Sequence, residues 1–167
     1  GAGGERGVEG VGGGEGRVGR RGSEEPASWQ ELKAEAEGHL RAVMEEVLRL
    51  ESPVQMLLRR ATEDTEINGA PIPKGALMGV RYGAANRDED QFSCPADLRL
   101  DRDKPGAHLA FGSGIHHCLG APLARRELWW GFKTFLDRVE TAQFTPGAND
   151  FSYQPHCLLR ALTSLQI

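Results

Sequence analysis

The run Phe111-Gly112-Ser113-Gly114-Ile115-His116-His117-Cys118-Leu119-Gly120 concentrates the reactive chemistry of this sequence. Glycines at 112, 114 and 120 bracket a cysteine and a histidine. They let the backbone take positive φ and let a flat ligand approach closely. Pro122 fits the first turn of a helix, so Cys118 falls just ahead of a helix N-terminus. The free N–H groups and dipole at such an end favour thiolate over thiol. A thiolate held in a loop is a good soft ligand for iron. His116, two residues away, can donate to an anionic group. Two plainer readings compete. A single cysteine is most often a small buried hydrophobe. Adjacent His116, His117 and Cys118 raise zinc, but neighbouring side chains rarely converge tetrahedrally and no Cys-x-x-Cys partner is present.

The elements that must position this loop are legible in outline. Ser28 and Glu31 have capping-box spacing, with Pro26 upstream. Leu32, Ala36, Leu40, Val43, Val47 and Leu50 recur at steps of three and four, which predicts one apolar helix face ending before Pro53. Within that helix, Glu46 and Arg49 share a face at i, i+3 and can pair. In isolation such a pair reads as a solvated surface bridge of little energetic value. Residues 62 to 67 lead into Asn68-Gly69, a two-residue hairpin turn, and Pro73-Lys74-Gly75 marks a second turn. A further strand is expected from Ala76 to Tyr82. Residues 84 to 108 read as an irregular packed loop. A helix is predicted from Pro122 to Val139, with Leu123, Leu128, Trp130, Phe132, Phe135, Leu136 and Val139 suited to burial. The stretch from Leu158 to Ile167 looks strand-like.

The loop matches all six fixed positions of Phe-Gly-x-Gly-x-His-x-Cys-x-Gly: Phe111, Gly112, Gly114, His116, Cys118 and Gly120. It resembles the haem-binding signature of the cytochrome P-450 superfamily, and its flanks, His108-Leu109-Ala110 and Ala121-Pro122-Leu123-Ala124-Arg125-Arg126-Glu127, resemble soluble bacterial members. Glu46-Val47-Leu48-Arg49 is similar to the family's Glu-x-x-Arg, a buried clamp beneath the haem loop. Ala85-Asn86-Arg87-Asp88 is similar to a family segment in the loop before the haem site. The resemblance implies a haem-thiolate monooxygenase binding haem b (iron protoporphyrin IX), with Cys118 as axial ligand. It implies Arg59 and His116 as propionate partners through charge-assisted hydrogen bonds, Arg59 being preferred over its neighbour Arg60. Phe111, Gly112, Gly114 and Gly120 complete the cofactor-binding set, and Glu46 and Arg49 are structural. It further implies a small organic substrate and an electron-donating redox partner, ferredoxin or flavoprotein reductase in type. One departure stands out. Relatives often carry a third clamp arginine where this chain has Asp97, and Arg99 and Arg102 are the candidate substitutes.

The expected fold is mainly α with a small antiparallel sheet, the C-terminal part of the cytochrome P-450 architecture, spanning residues 28 to 167. The resemblance covers about the last third of a full member. The upstream helix that carries an acid–alcohol pair for proton delivery is missing, and the adjacent Asp64-Thr65 lies on the hairpin instead. No catalytic residue is therefore assigned. A haem-binding remnant without turnover, and a small interaction module with a structural cysteine, stand as alternatives.

The rest of the chain sets bounds. It has 167 residues, 20 basic and 24 acidic, for a net charge of -4. This gives no basic field for nucleic acid. No apolar run approaches the roughly 20 residues of a membrane span. Three cysteines, Cys94, Cys118 and Cys157, are too few and odd in number for a disulfide framework, which fits a cytoplasmic setting. Residues 1 to 22 are glycine-rich and poor in apolar side chains, and are expected to be a disordered tail. Gly12-Gly13-Gly14 has neither a preceding strand nor a following lysine to bind phosphate.

Overall fold

The computed structural model describes residues 29–167. The expected tail and the Ser28 capping box lie outside these residues. Helix α1, Trp29–Glu51, is the longest element. Ser52 ends it: its φ is +38° and its N–H returns to the Leu48 carbonyl at 2.9 Å, a left-handed cap reinforced by Pro53. The buried face of α1 differs from the apolar stripe expected. Leu40, Met44 and Leu48 are buried, but so are Glu45, Glu46 and Arg49, while Val47 is 38% exposed. Apolar periodicity counts only hydrophobic positions, and this helix turns a charged segment inward.

Strands β1 (Leu57–Arg60), β2 (Thr65–Ile67), β3 (Ala70–Ile72) and β4 (Leu77–Val80) follow. One small sheet was expected, but the strands form two antiparallel pairs. β2 and β3 pair with Ile67 opposite Ala70, joined by Asn68 at φ +49° and Gly69 at φ +81°. Positive φ at both central residues is what a tight hairpin needs to match strand twist. β1 pairs with β4, Arg59 opposite Met78, so the β2–β3 hairpin is an excursion between them. Pro71 is tolerated in β3 because that strand has only one neighbour.

A single helical turn, α2 (Tyr82–Ala85), leads into the irregular segment up to His108. Helix α3, Ala121–Arg138, carries Pro122 in its first turn and packs on α1. The shared core is Leu40, Met44 and Leu136, with Leu128 and Trp129 against it. The expectation for α3 is only partly right. Leu136 is buried, but Leu123 and Trp130 are each 61% exposed, and Phe132 and Phe135 are also exposed. The core contact uses Leu136 and Leu128, as expected, together with Trp129, which was not among the expected positions. After α3 the chain makes isolated bridges only, Val54 with Leu159 and Tyr153 with Leu162, rather than the strand expected from Leu158. Arg160 holds this tail to α1 by reaching Glu51 at 2.8 Å. No described helix is long and apolar enough to cross a membrane.

Candidate functional site

Two buried carboxylates on α1 organise everything around the Phe111–Gly120 loop. Glu46 and Arg49 are both 0% exposed. Arg49 uses all five of its N–H donors. Nε and Nη2 reach the two Glu46 oxygens at 2.7 and 2.9 Å, Nη1 reaches the carbonyls of Asn86 and Pro95 at 2.9 and 2.7 Å, and Nη2 also reaches the Asp97 carbonyl at 3.0 Å. Glu46 in turn accepts from Arg102 Nε at 2.9 Å and from the Arg99 backbone N–H at 3.0 Å. Arg102 therefore occupies the third clamp position, while the Arg99 side chain turns outward to Asp101. The Phe92 ring lies beside both guanidinium groups, 5.1 Å from that of Arg49 and 5.8 Å from that of Arg102. Burial pushes the Glu46 carboxyl up, but hydrogen bonds from Arg49, the Arg99 amide and Arg102 outweigh it and hold it below the usual glutamate value.

Asn86 connects the clamp to the loop. Its carbonyl accepts from Arg49, its side-chain amide donates to Ser52 Oγ at 2.8 Å, and its Oδ1 accepts the Leu109 N–H at 2.6 Å. Glu45 makes a second cluster with His108 and Arg125, at 2.8 and 2.6 Å. Sequence reasoning missed Glu45, His108 and Arg125 as a set. His108 and Arg125 were visible only as flanks of the signature, and their partner lies more than sixty positions upstream.

The loop itself is open. Gly112 and Gly114 have φ of +71° and +69°, so both positions need glycine. Gly120 does not: its φ is -80°, and a Cβ there would sit 3.8 Å from the Cys118 sulfur. Its glycine keeps that side of the sulfur clear. Residues Gly114–His116 form a 3-10 turn, the Cys118 N–H donates to the Phe111 carbonyl at 2.9 Å, and α3 starts three residues after Cys118. Cys118, His116 and His117 are all exposed. Ile115 and Leu119, the apolar side chains flanking His116 to Cys118, are 97% and 98% exposed. Arg59 is exposed on β1, where its Nη1 meets the Leu58 carbonyl at 2.9 Å, and Arg60 reaches the Gly75 carbonyl at 2.7 Å. Among the described residues, no hydrogen bond or ion pair joins Arg59 to the loop, and no three His, Cys, Asp or Glu side chains gather as a metal cluster.

A family model for cytochrome P450 matches residues 38–151. The chain belongs to the cytochrome P450 family. It is 40% identical over 139 residues to the polyketide biosynthesis cytochrome P450 PksS of Bacillus subtilis, covering 83% of this chain and 34% of that one. It is 41% identical to cytochrome P450 CYP107DY1 of Priestia megaterium, covering 77% of this chain and 31% of that one. Among solved structures, substrate-free CYP150A6 of Mycobacterium marinum superposes with a TM-score of 0.76 at 35% identity. That match covers 81% of this chain and 35% of the other. CYP109E1 of Bacillus megaterium, in complex with testosterone, superposes with a TM-score of 0.74 at 36% identity, covering 81% and 37%. The chain thus spans about a third of the length of the relatives it matches. Its helices and small antiparallel sheets are the corresponding part of the P450 fold.

P450 proteins carry haem b, and the residues present fit that group. The site offers one soft sulfur ligand, two positive-φ glycines beside it, a bare flank at Gly120 and exposed apolar side chains at Ile115 and Leu119.

Proposed function

We propose that this chain supplies the haem-binding face of a cytochrome P450 monooxygenase, with Cys118 as the axial thiolate ligand. The observation that carries the reading is the complete signature held on an open loop, with Cys118 exposed and Gly112 and Gly114 in the conformation only glycine adopts readily. An exposed cysteine is poorly suited to a purely structural role as a buried hydrophobe. His116 and Arg59 would take the haem propionates by charge-assisted hydrogen bonds. Bound haem would supply O₂ activation, one oxygen atom entering an organic substrate and the other leaving as water, with the thiolate donating electron density to iron. The chain's own part is positional. The Glu46–Arg49–Arg102 clamp fixes the segment before the loop, Asn86 pins Leu109, and Gly120 keeps the sulfur approachable. In this reading electrons come from a ferredoxin or flavoprotein reductase, the substrate is a small organic molecule, and the setting is cytoplasmic.

Haem binding without turnover is the alternative reading. Two measurements separate the readings. Haem titration followed by the absorption spectrum of the reduced, carbon-monoxide-bound chain should give the strongly red-shifted band of thiolate ligation. Cys118→Ala should abolish it, while Cys94→Ala and Cys157→Ala keep it. A band unchanged in Cys118→Ala would rule out the ligand assignment. Turnover with a redox partner then distinguishes the monooxygenase from the remnant.

A further inference from the structure

Glu45 and His108, both buried, and the half-buried Arg125 form a charge cluster that the reaction as proposed does not use. Arg125 delivers a two-pronged pair to Glu45, Nε to Oε1 at 2.6 Å and Nη2 to Oε2 at 2.9 Å. His108 Nε2 lies 2.8 Å from Glu45 Oε2. The Ala110 N–H donates to His108 Nδ1 at 3.2 Å, which assigns the ring proton to Nε2, facing the carboxylate. The Arg125 guanidinium also lies over the Phe111 ring, 4.6 Å from its centroid. Phe111 is the residue whose carbonyl accepts the Cys118 N–H at 2.9 Å. A continuous chain of contacts therefore runs from Glu45 on α1, through Arg125 on α3, to Phe111 and on to the backbone of Cys118.

We infer that Arg125, anchored by Glu45 and His108, is a positioning residue for Cys118. By holding the Phe111 ring it keeps the Phe111 carbonyl on the Cys118 amide, and so fixes the direction in which the sulfur presents itself. The inference rests on the reading of Cys118 as the haem ligand. An exposed ion pair would not do this, because surface pairs hold geometry weakly. Here the carboxylate is buried, the pair is bidentate, and one face of the guanidinium lies on an aromatic ring. A planar fork can satisfy all three conditions at once and an ammonium cannot.

The test uses the full chain without haem. Site-resolved amide hydrogen exchange is combined with competitive alkylation of Cys94, Cys118 and Cys157, all three of which are exposed. Arg125→Gln should speed exchange at the Cys118 amide by about tenfold and change the alkylation rate of Cys118 relative to the other two cysteines. The Ser52 amide, bound to Leu48 in the α1 cap, should keep its wild-type rate. Arg125→Lys keeps the charge and loses the fork, and should behave like Arg125→Gln. Phe111→Leu removes the ring but leaves the Arg125–Glu45 pair, and should reproduce the effect if the signal passes through the ring. Arg126→Gln, at the exposed neighbouring position, should change nothing. Wild-type exchange at Cys118 in both Arg125→Gln and Phe111→Leu would overturn the inference. So would acceleration of the Ser52 and Cys118 amides together, the mark of general loosening. A reduced carbon-monoxide spectrum of the haem-titrated wild type that lacks the thiolate band, with the exchange pattern as expected, would overturn the ligand reading alone. The thiolate band with unchanged Cys118 exchange would overturn the positioning inference alone.

Discussion

Arg49 has no donor to spare and Glu46 no acceptor. Five N–H groups of the one meet five oxygen contacts, and the two oxygens of the other accept four hydrogen bonds. Such a pair resists substitution on either side, because removing one partner strands a buried charge. Glu46→Ala should cost about 3–5 kcal/mol in urea unfolding. Arg49→Lys should cost nearly as much, since an ammonium offers three donors where five are used. If Arg49→Lys unfolds at the wild-type midpoint, the fork geometry is not what matters. Asp97 explains itself at this scale as well. Its backbone carbonyl, not its side chain, meets Arg49, and the missing positive charge is provided by Arg102 five residues on. The clamp therefore draws only on the main-chain oxygen of residue 97.

At the scale of elements, the signature loop separates two kinds of glycine. Gly114 sits at φ +69° with open space where a Cβ would go. Gly114→Ala should therefore cost about 1–2 kcal/mol through backbone conformation alone. Gly120→Ala, at an ordinary helical φ, should cost less while slowing alkylation of the adjacent Cys118. An equal or greater loss for Gly120→Ala would show that the two roles have been misassigned. The loop and the Asn68-Gly69 hairpin were legible in the sequence because each is local: residue type at fixed spacing dictates φ, and φ dictates the turn. The faces of α1 and α3 were not. On α1, spacing alone showed that Glu46 and Arg49 could pair, and only the family resemblance implied that the pair is buried; Glu45 was not foreseen, because its partners His108 and Arg125 lie 63 and 80 residues away. On α3, Leu123 and Trp130 are apolar yet exposed, and residue type alone cannot say which apolar stripe meets α1. The tail past Leu158 was read as a strand on composition. It makes bridges instead, because Arg160 and Tyr153 tie it to Glu51 rather than to a neighbouring strand.

Across the molecule, the buried titratable groups agree in sign. Burial raises the Glu45 and Glu46 carboxyls, but arginine and, for Glu45, histidine partners outweigh it and hold both below their ordinary value of 4.5. Burial lowers His108 below 6.5, and the nearby Arg125 and Arg49 add to that, more than Glu45 restores. A group whose pKa is depressed by folding binds protons more readily when unfolded, so its contribution is complete above its unfolded value and is lost as pH falls. Stability should therefore be level near neutrality, begin to decline below about pH 6.5 through His108, and fall more steeply below about pH 4.5 through the two glutamates. Thermal midpoints across pH 3–8 would check this. In His108→Asn, a decline still starting near pH 6.5 would count against His108 as its source. The same clusters also carry a consequence in time. The contacts that join Arg102 to Glu46, His108 to Glu45 and Arg125 to Glu45 close stretches of 56, 63 and 80 residues. Each must lose its chain entropy before the contact returns anything, and pairings this distant are slow to form. When the chain refolds from urea, the far-ultraviolet helix signal should return first, and protection of the Cys118 amide only in a later phase. The loop that presents the sulfur would then be the last part of the molecule to become specific. If the refolding order holds, a cell making this chain would for that interval carry Cys118 exposed and not yet aimed at anything.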